Sequence, residues 1–230
     1  MKVSEIDWSA WTPTDRATLL FVVRGGEVLR AVRAVDTATD PDAQGRGIFR
    51  ALGIGLRWQG RWSTGARLVV ANHVSWLDIM AIHAHCPQAR FVAMAEVQQW
   101  PLVPRLVHSA RTLLLQRHRP RDLRRVVHEA AGALRAGDTV AVFPEGVVSD
   151  GQGLQKFHGN FLQAAIDAGV AVQAVALRYV DAGSAGLNRA SDAPLFTGSM
   201  TLAQSLWRLA CADGLVLHAR PLPPLEPPHA

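Results

Sequence analysis

A chain of 230 residues, 49% hydrophobic and 19% charged, is long enough for one well-buried core and has the composition of an ordinary globular enzyme. Two cysteines exclude a disulfide framework and make a reducing compartment the default, and no internal repeat or low-complexity tract is present. The formal net charge of +5 favours anionic partners.

At the N-terminus, Thr12-Pro13-Thr14-Asp15 reads as a helix start, with Thr12 as cap and Pro13 at the first position. The apolar run Ala17 to Val23 is broken by Arg24, Gly25 and Gly26, well short of the about 20 apolar residues that a spanning helix needs. It also lacks the basic start and cleavage site of a signal peptide. Two expectations stand side by side. Leu19, Leu20, Phe21 and Val22, with Trp8 and Trp11, dock in a membrane interface as an amphipathic segment, or the helix packs on the domain. Residues 1–45 are therefore read as an N-terminal helical segment capable of membrane association. A loop from Asp36 to Arg46 divides it from the main domain over 46–222. The Pro-rich tail, 223–230, is expected to be extended and loosely held.

Strands are predicted near Leu56–Trp62, Arg67–Ala71, Arg90–Ala93, Thr112–Gln116, Thr139–Phe143, Ala171–Arg178 and Leu215–Ala219. Helices fall near Trp76–Cys86, Arg121–Arg135, Gly159–Ala168 and Leu202–Ala212. That alternation predicts an α/β fold, a layered sheet flanked by helices; strand order and direction are not legible in it.

Three predicted strands end in residues with chemistry. Leu68-Val69-Val70-Ala71 runs into Asn72-His73-Val74-Ser75-Trp76-Leu77-Asp78. With His73 in a turn and Ser75 capping the next helix, Asp78 can reach back to the imidazole, fix its tautomer and leave the other nitrogen to take a proton. The plainer reading makes Ser75 to Asp78 a capping pattern that serves only the helix start. Thr112-Leu113-Leu114-Leu115-Gln116 ends on Arg117. Thr139-Val140-Ala141-Val142 ends in Phe143-Pro144-Glu145-Gly146, where Pro144 stops the ladder and Gly146 lets the backbone turn. Strand carboxyl ends are where open α/β sheets build sites. A structural ion pair between Arg117 and Glu145 is the plainer alternative.

Together these residues resemble the glycerolipid acyltransferases typified by 1-acylglycerol-3-phosphate acyltransferase. The N-H-x-S-x-x-D block is matched by Asn72, His73, Ser75 and Asp78. The arginine after an apolar strand is Arg117, with Trp100-Pro101-Leu102 upstream. The F-P-E-G block is Phe143 to Gly146, continued by Ser149, Gly151, Phe157 and Ala164. The fourth block, usually V-P-V-x-P-V, appears as Val170-Ala171-Val172-Gln173-Ala174-Val175, with Tyr179 beyond. The resemblance spans roughly Arg46 to Leu222. Alanine replaces both prolines (Ala171, Ala174), Val147 and Val148 stand where threonine is common, Arg111 where a glycine precedes the strand, and Met94 where a lysine is common.

The resemblance implies direct acyl transfer from acyl-CoA or an acyl carrier protein to a lysolipid hydroxyl, with no bound cofactor or metal. His73 would be the base and Asp78 its partner, with Arg117, Glu145 and Gly146 binding substrate. Asn72, Ser75, Phe143 and Pro144 would support them. Lysophosphatidic acid is the default acceptor. A lyso-ornithine lipid, another lysophospholipid, or a non-catalytic lipid-binding relative are the alternatives. The setting would be cytoplasmic, peripheral on the inner face of the membrane. No G-x-S-x-G elbow occurs, and neither Cys86 nor Cys211 has the histidine context of a nucleophile.

Arg105, Arg111, Arg117, Arg119, Arg121, Arg124 and Arg125 crowd one stretch opposed only by Asp122. Anionic headgroups, coenzyme A phosphates or an acidic carrier protein suit it. The absence of interleaved aromatics makes nucleic acid a poorer fit. A solvated helix face is the plainer reading. His83 and His85, two apart, do not share a helix face and no second ligand cluster completes a metal site.

Overall fold

The computed structural model describes residues 18–24, 27–34, 41–99, 107–108, 110–116, 120–181, 190–198, 200–212 and 214–228, with side chains from residue 46 on except at 120. Strands β1 (Thr18–Arg24) and β2 (Glu27–Ala34) pair antiparallel as a hairpin. This corrects the helix expected over the apolar run. Leu19-Leu20-Phe21-Val22-Val23 is rich in β-branched and aromatic residues, and a Gly-Gly pair separates it from the next strand, which favours a hairpin. The expected helix start at Thr12 to Asp15, and Trp8 and Trp11, lie outside the described residues. Helix α1 (Pro41–Leu52) begins inside the stretch expected to be loop.

The remaining strands are β3 (Gly55–Trp58), β4 (Arg67–Ala71), β5 (Arg90–Met94), β6 (Leu113–Leu115), β7 (Thr139–Val142), β8 (Ala171–Asp181) and β9 (Leu215–Pro221). Among the described residues they form one sheet in the order β3-β9-β8-β4-β7-β5-β6. From β8 to β6 neighbours run parallel. β9 runs antiparallel to β8, and β3 runs parallel to β9. Helices are α2 (Leu77–His85), α3 (Pro120–Arg135), α4 (Leu162–Ala168) and α5 (Leu202–Cys211).

Two apolar layers sandwich the sheet. Val69 and Ala71 of β4 point toward a core built with Phe49 and Leu52 of α1, Leu77 and Ile82 of α2 and Leu209 of α5. Leu68 and Val70 point the other way, into a core with Ala130 and Leu134 of α3 and Ala164 and Ala165 of α4. β4 is buried along its whole length, as an unbroken apolar strand must be when helices cover both faces. On α3, Val126, Ala130 and Leu134 recur at four-residue spacing and are buried, while Arg121, Arg124 and Arg125 face outward. Each large side chain buried this way stabilises the fold by about 1.5–3 kcal/mol.

The order of the strands places the site. β4 connects through α2 to β5, on one side, whereas β7 connects through α4 to β8, on the other. Adjacent parallel strands whose connections leave in opposite directions open a crevice at their carboxyl ends. That crevice lies between β4 and β7.

Two further departures have local causes. β8 runs unbroken for eleven residues, as expected where alanines replace prolines and every amide can join the ladder. The tail is better held than expected, because Leu225 exchanges both backbone hydrogen bonds with Val172 and the Leu222 amide donates to Ala174 O at 2.8 Å.

Candidate active site

At the end of β4, Asn72 replaces the next rung of the sheet with its side chain. Its Nδ2 donates to Leu177 O at 2.9 Å, and its Oδ1 accepts from Leu177 N at 2.7 Å. β4 can therefore stop without losing β8, and the chain is free to turn at His73.

Asp78, fully buried in the first turn of α2, serves both roles that its spacing allows. Its Oδ2 accepts from the amides of Val74 (2.7 Å) and Ser75 (2.8 Å) and lies 3.0 Å from His73 Nδ1. The capping reading and the histidine-holding reading are one arrangement. A carboxylate only accepts, so Nδ1 carries the hydrogen and Nε2 is left as the acceptor nitrogen. The helix itself starts at Leu77, one residue later than expected, and Ser75 Oγ sits 3.4 Å from the Leu77 amide.

The second motif grips the first. Glu145, 3% exposed, accepts from the His73 amide at 2.9 Å with Oε1 and from the Gln155 amide at 3.2 Å with Oε2. The Ser149 amide donates to His73 O at 2.7 Å, so both backbone groups of His73 are held by the loop after β7. Phe143 stacks on the His73 ring at 4.3 Å and 22°. After Pro144 the chain reverses through Gly146, whose φ of 69° is strained for any residue with a Cβ. The Gly146 amide closes the turn onto Phe143 O, and the His158 amide donates to Pro144 O.

Sequence reading missed one participant. The single tyrosine of the chain, Tyr179 on β8, donates its hydroxyl to Asp78 Oδ1 at 2.7 Å and is buried. Burial first, and then the neighbouring Asp78 charge, push its phenol well above the ordinary value, so the hydroxyl keeps its proton and stays a donor. The signals available were its place beyond the fourth block and its being a lone polar aromatic on an apolar strand, and neither assigned it a role.

A cavity of about 690 Å³ opens beside His73. Its walls are largely apolar: Trp76 and Ile79 from the start of α2, Val92 and Met94 from β5, Leu115 from β6, Leu123 from α3, and Phe161 and Phe196. Gly146, Val147, Val148 and His158 line the side nearest the second motif, and Glu96 is part of the lining. The volume is within the about 300–1,000 Å³ typical of small-molecule sites.

Arg117 lies outside the described residues, as do Arg105 and Arg119. β6, the strand that leads to Arg117, contributes Leu115 to the cavity wall. Of the neighbouring arginines, Arg125 is tied to Asp122 at 2.8 Å and Glu129 at 2.6 Å, while Arg121 and Arg124 are exposed. His83 is buried toward Phe91, and His85 stacks on Trp58 at 4.4 Å, so the two histidines of α2 face different surroundings. Among the described residues no group of three or more histidine, cysteine or acidic side chains gathers to hold a metal.

The fold and site thus define an α/β protein with a carboxylate-held histidine at a switch-point crevice, set over an apolar cavity. Residues 59–178 match the family model described as Acyltransferase. The chain is 38% identical over 176 residues to the 1-acyl-sn-glycerol-3-phosphate acyltransferase of Neisseria meningitidis, a match covering 75% of this chain and 66% of that protein. It is 37% identical over 175 residues to the lyso-ornithine lipid O-acyltransferase of Pseudomonas aeruginosa, covering 76% and 65% respectively. The crystal structure of the 1-acyl-sn-glycerophosphate acyltransferase of Thermotoga maritima superposes with a TM-score of 0.60 at 23% identity, over 84% of this chain and 70% of that one. The chain belongs to the acyltransferase family. It spans about two thirds of the length of these curated relatives.

Proposed function

We propose that this protein transfers a fatty acyl group from a thioester donor to the free hydroxyl of a lysolipid, with 1-acyl-sn-glycerol-3-phosphate as the first acceptor to test. The observation that carries the reading is the His73–Asp78 pair at the mouth of an apolar cavity. The acceptor hydroxyl gives its proton to His73 Nε2 as its oxygen bonds to the thioester carbon. The C–S bond then breaks, and the proton passes to the departing thiolate. Such a positioned base contributes about 10²–10⁴-fold. The cavity takes acyl chain, each buried methylene being worth about 0.8 kcal/mol.

Arg117, following the strand that lines the cavity, is the proposed partner of an acceptor phosphate. Glu145 holds the backbone of His73 in place, and Gly146 permits close approach of substrate to the turn. The donor is acyl-CoA or an acyl carrier protein. Arg121 and Arg124 supply exposed positive charge beside Leu123 of the cavity wall, and suit the donor's phosphates or an acidic carrier.

We place the protein at the cytoplasmic face of a membrane as a peripheral enzyme. Support comes from apolar side chains that remain exposed along the chain bordering the cavity: Val147 at 54%, Leu154 at 71%, Phe157 at 42% and Leu162 at 41%. Among the described residues, no helix is long and apolar enough to cross a membrane.

A second acceptor has its own support. Met94 lines the cavity where a lysine is common in the family. The similarity to the lyso-ornithine enzyme is nearly equal to that to the phosphate-acceptor enzyme. The deciding experiment offers labelled acyl-CoA, then acyl carrier protein, with a panel of lysolipids to wild type and His73→Ala. Product from wild type alone supports the enzyme, and the preferred lysolipid names the acceptor. Lipid binding without turnover in either form would leave a non-catalytic relative.

A further inference from the structure

We propose that Tyr179 is a positioning residue for acyl transfer, setting through Asp78 the orientation and proton affinity of the His73 base. The inference rests on the catalytic reading above and extends it to a residue on a strand that touches neither cavity nor substrate.

The carboxylate of Asp78 is asymmetric in its partners. Oδ2 serves two backbone amides and the imidazole, whereas Oδ1 of this fully buried side chain takes its hydrogen bond, among the described residues, from Tyr179. Without that donor, Oδ1 would be an unsatisfied charged oxygen in the apolar core, while Oδ2 stays held by its two amides. Tyr179 is itself well fixed. It follows Leu177 by two residues on β8, and Leu177 is clamped by both ends of the Asn72 amide. The Tyr179 carbonyl accepts from Ser191 N at 2.9 Å, and its residue pairs with Leu217 of β9. One strand thus aligns the turn that carries His73 and the donor that holds its carboxylate.

The direction of the electronic effect follows. A hydrogen bond to Oδ1 spreads and stabilises the negative charge of Asp78. Removing it concentrates that charge on the histidine side and strengthens the grip on an imidazolium. The base then needs a higher pH to be free. Other titratable groups near His73 are Glu145 on its amide, and His158 and Glu96 on the cavity wall. None of these changes when only the phenol is altered.

The test compares wild type with Tyr179→Phe and with 3-fluorotyrosine inserted at position 179, whose hydroxyl is a stronger donor of the same shape. Tyr179→Phe is expected to lower kcat about tenfold with the lysolipid KM changed less than about twofold, as for loss of a hydrogen bond to a charged group. The acid limb of its kcat/KM profile should move up by about half a pH unit or more. The fluorinated protein should move that limb down. A limb unmoved in both proteins overturns the proposal, whatever happens to kcat or thermal stability, because packing alone would leave the limb in place. Should Tyr179→Phe fail to fold, the fluorinated protein decides by the same criterion. An NMR titration of the His73 ring without substrate separates the two readings. A midpoint moved by these changes in a protein that never turns over sinks the acyltransferase reading and keeps the coupling. Wild-type turnover with an unmoved midpoint sinks the coupling alone.

Discussion

The amide of His73 donates to Oε1 of Glu145 at 2.9 Å, across 72 residues of sequence. This bond joins the two motifs that carry the site, and it gives Glu145 a structural task that its sequence position does not announce. Glu145→Gln places an amide NH2 against one of two backbone N–H groups, so one contact becomes donor facing donor. The variant should lose about 1.5–3 kcal/mol, the worth of a hydrogen bond to a charged group, and most of its activity. Thermal unfolding beside an acyl-transfer assay checks this, and an unchanged melting temperature would contradict it.

His73 and Asp78 should separate under mutation. The His73 side chain is 17% exposed, stacks on Phe143 and satisfies no buried backbone group with its ring. His73→Ala should therefore cost about 10²–10⁴ in turnover with little change in melting. Asp78→Asn loses the charge that strengthens four hydrogen bonds, and its NH2 fits only if the Tyr179 hydroxyl reverses from donor to acceptor. It should lose turnover and also more than about 2 kcal/mol of stability. Equal melting of the two variants would refute the distinction.

Arg111 adopts a φ of 45°, left-handed and unfavourable for a residue with a Cβ. Its amide closes onto His108 O and the next amide onto Val107 O, the hydrogen bonding of a helix end that prefers glycine. The compensation is a 3.5 Å contact with Asp138 from a side chain that is 60% exposed, worth little in water. Arg111→Gly should raise stability by up to about 1 kcal/mol. Denaturant unfolding measures it, and a lowered midpoint would mean the ion pair matters more than the backbone.

The two thiols should react at different rates. Cys86 is 1% exposed, and burial pushes its thiol up, with the Arg67 charge pulling partly the other way. Cys211 is exposed. An aromatic disulfide reagent should label one thiol quickly in the native protein and the second only in denaturant. Cys211→Ser should abolish the fast phase.

His218 and His85 should make the fold sensitive to mild acid. Burial lowers both, with Arg57 beside His218, and with Arg46 and Arg67 beside His85, adding to it. Each is held neutral when folded, while the unfolded side chains titrate near about 6.5. Their contribution is therefore complete above that pH and is lost as the pH falls through it. Melting temperature should drop between pH 7.5 and 5.5, by less in His218→Gln.

Much of this was legible in the chain. β4 and β7 are short apolar runs bounded by turn residues, and α3 repeats its apolar positions at helical spacing, because burial on one face or two leaves that imprint. The hairpin of β1 and β2 was misread because a short apolar run satisfies either period, and only its partner strand decides between them. The spacing from His73 to Asp78 also allowed two readings that the geometry merged, since one carboxylate oxygen can cap the turn and hold the ring together.

By itself the sequence determined the apolar runs, the turn residues at their ends and hence which side chains stand at strand termini, because these follow from local backbone preferences and burial pattern. The tertiary structure alone decided that β7 slots beside β4, opening a crevice between them, and that Tyr179 arrives at the unshared oxygen of Asp78. Both depend on strand order, which is fixed by the packing of helices on two faces of the sheet and leaves no mark on any single segment.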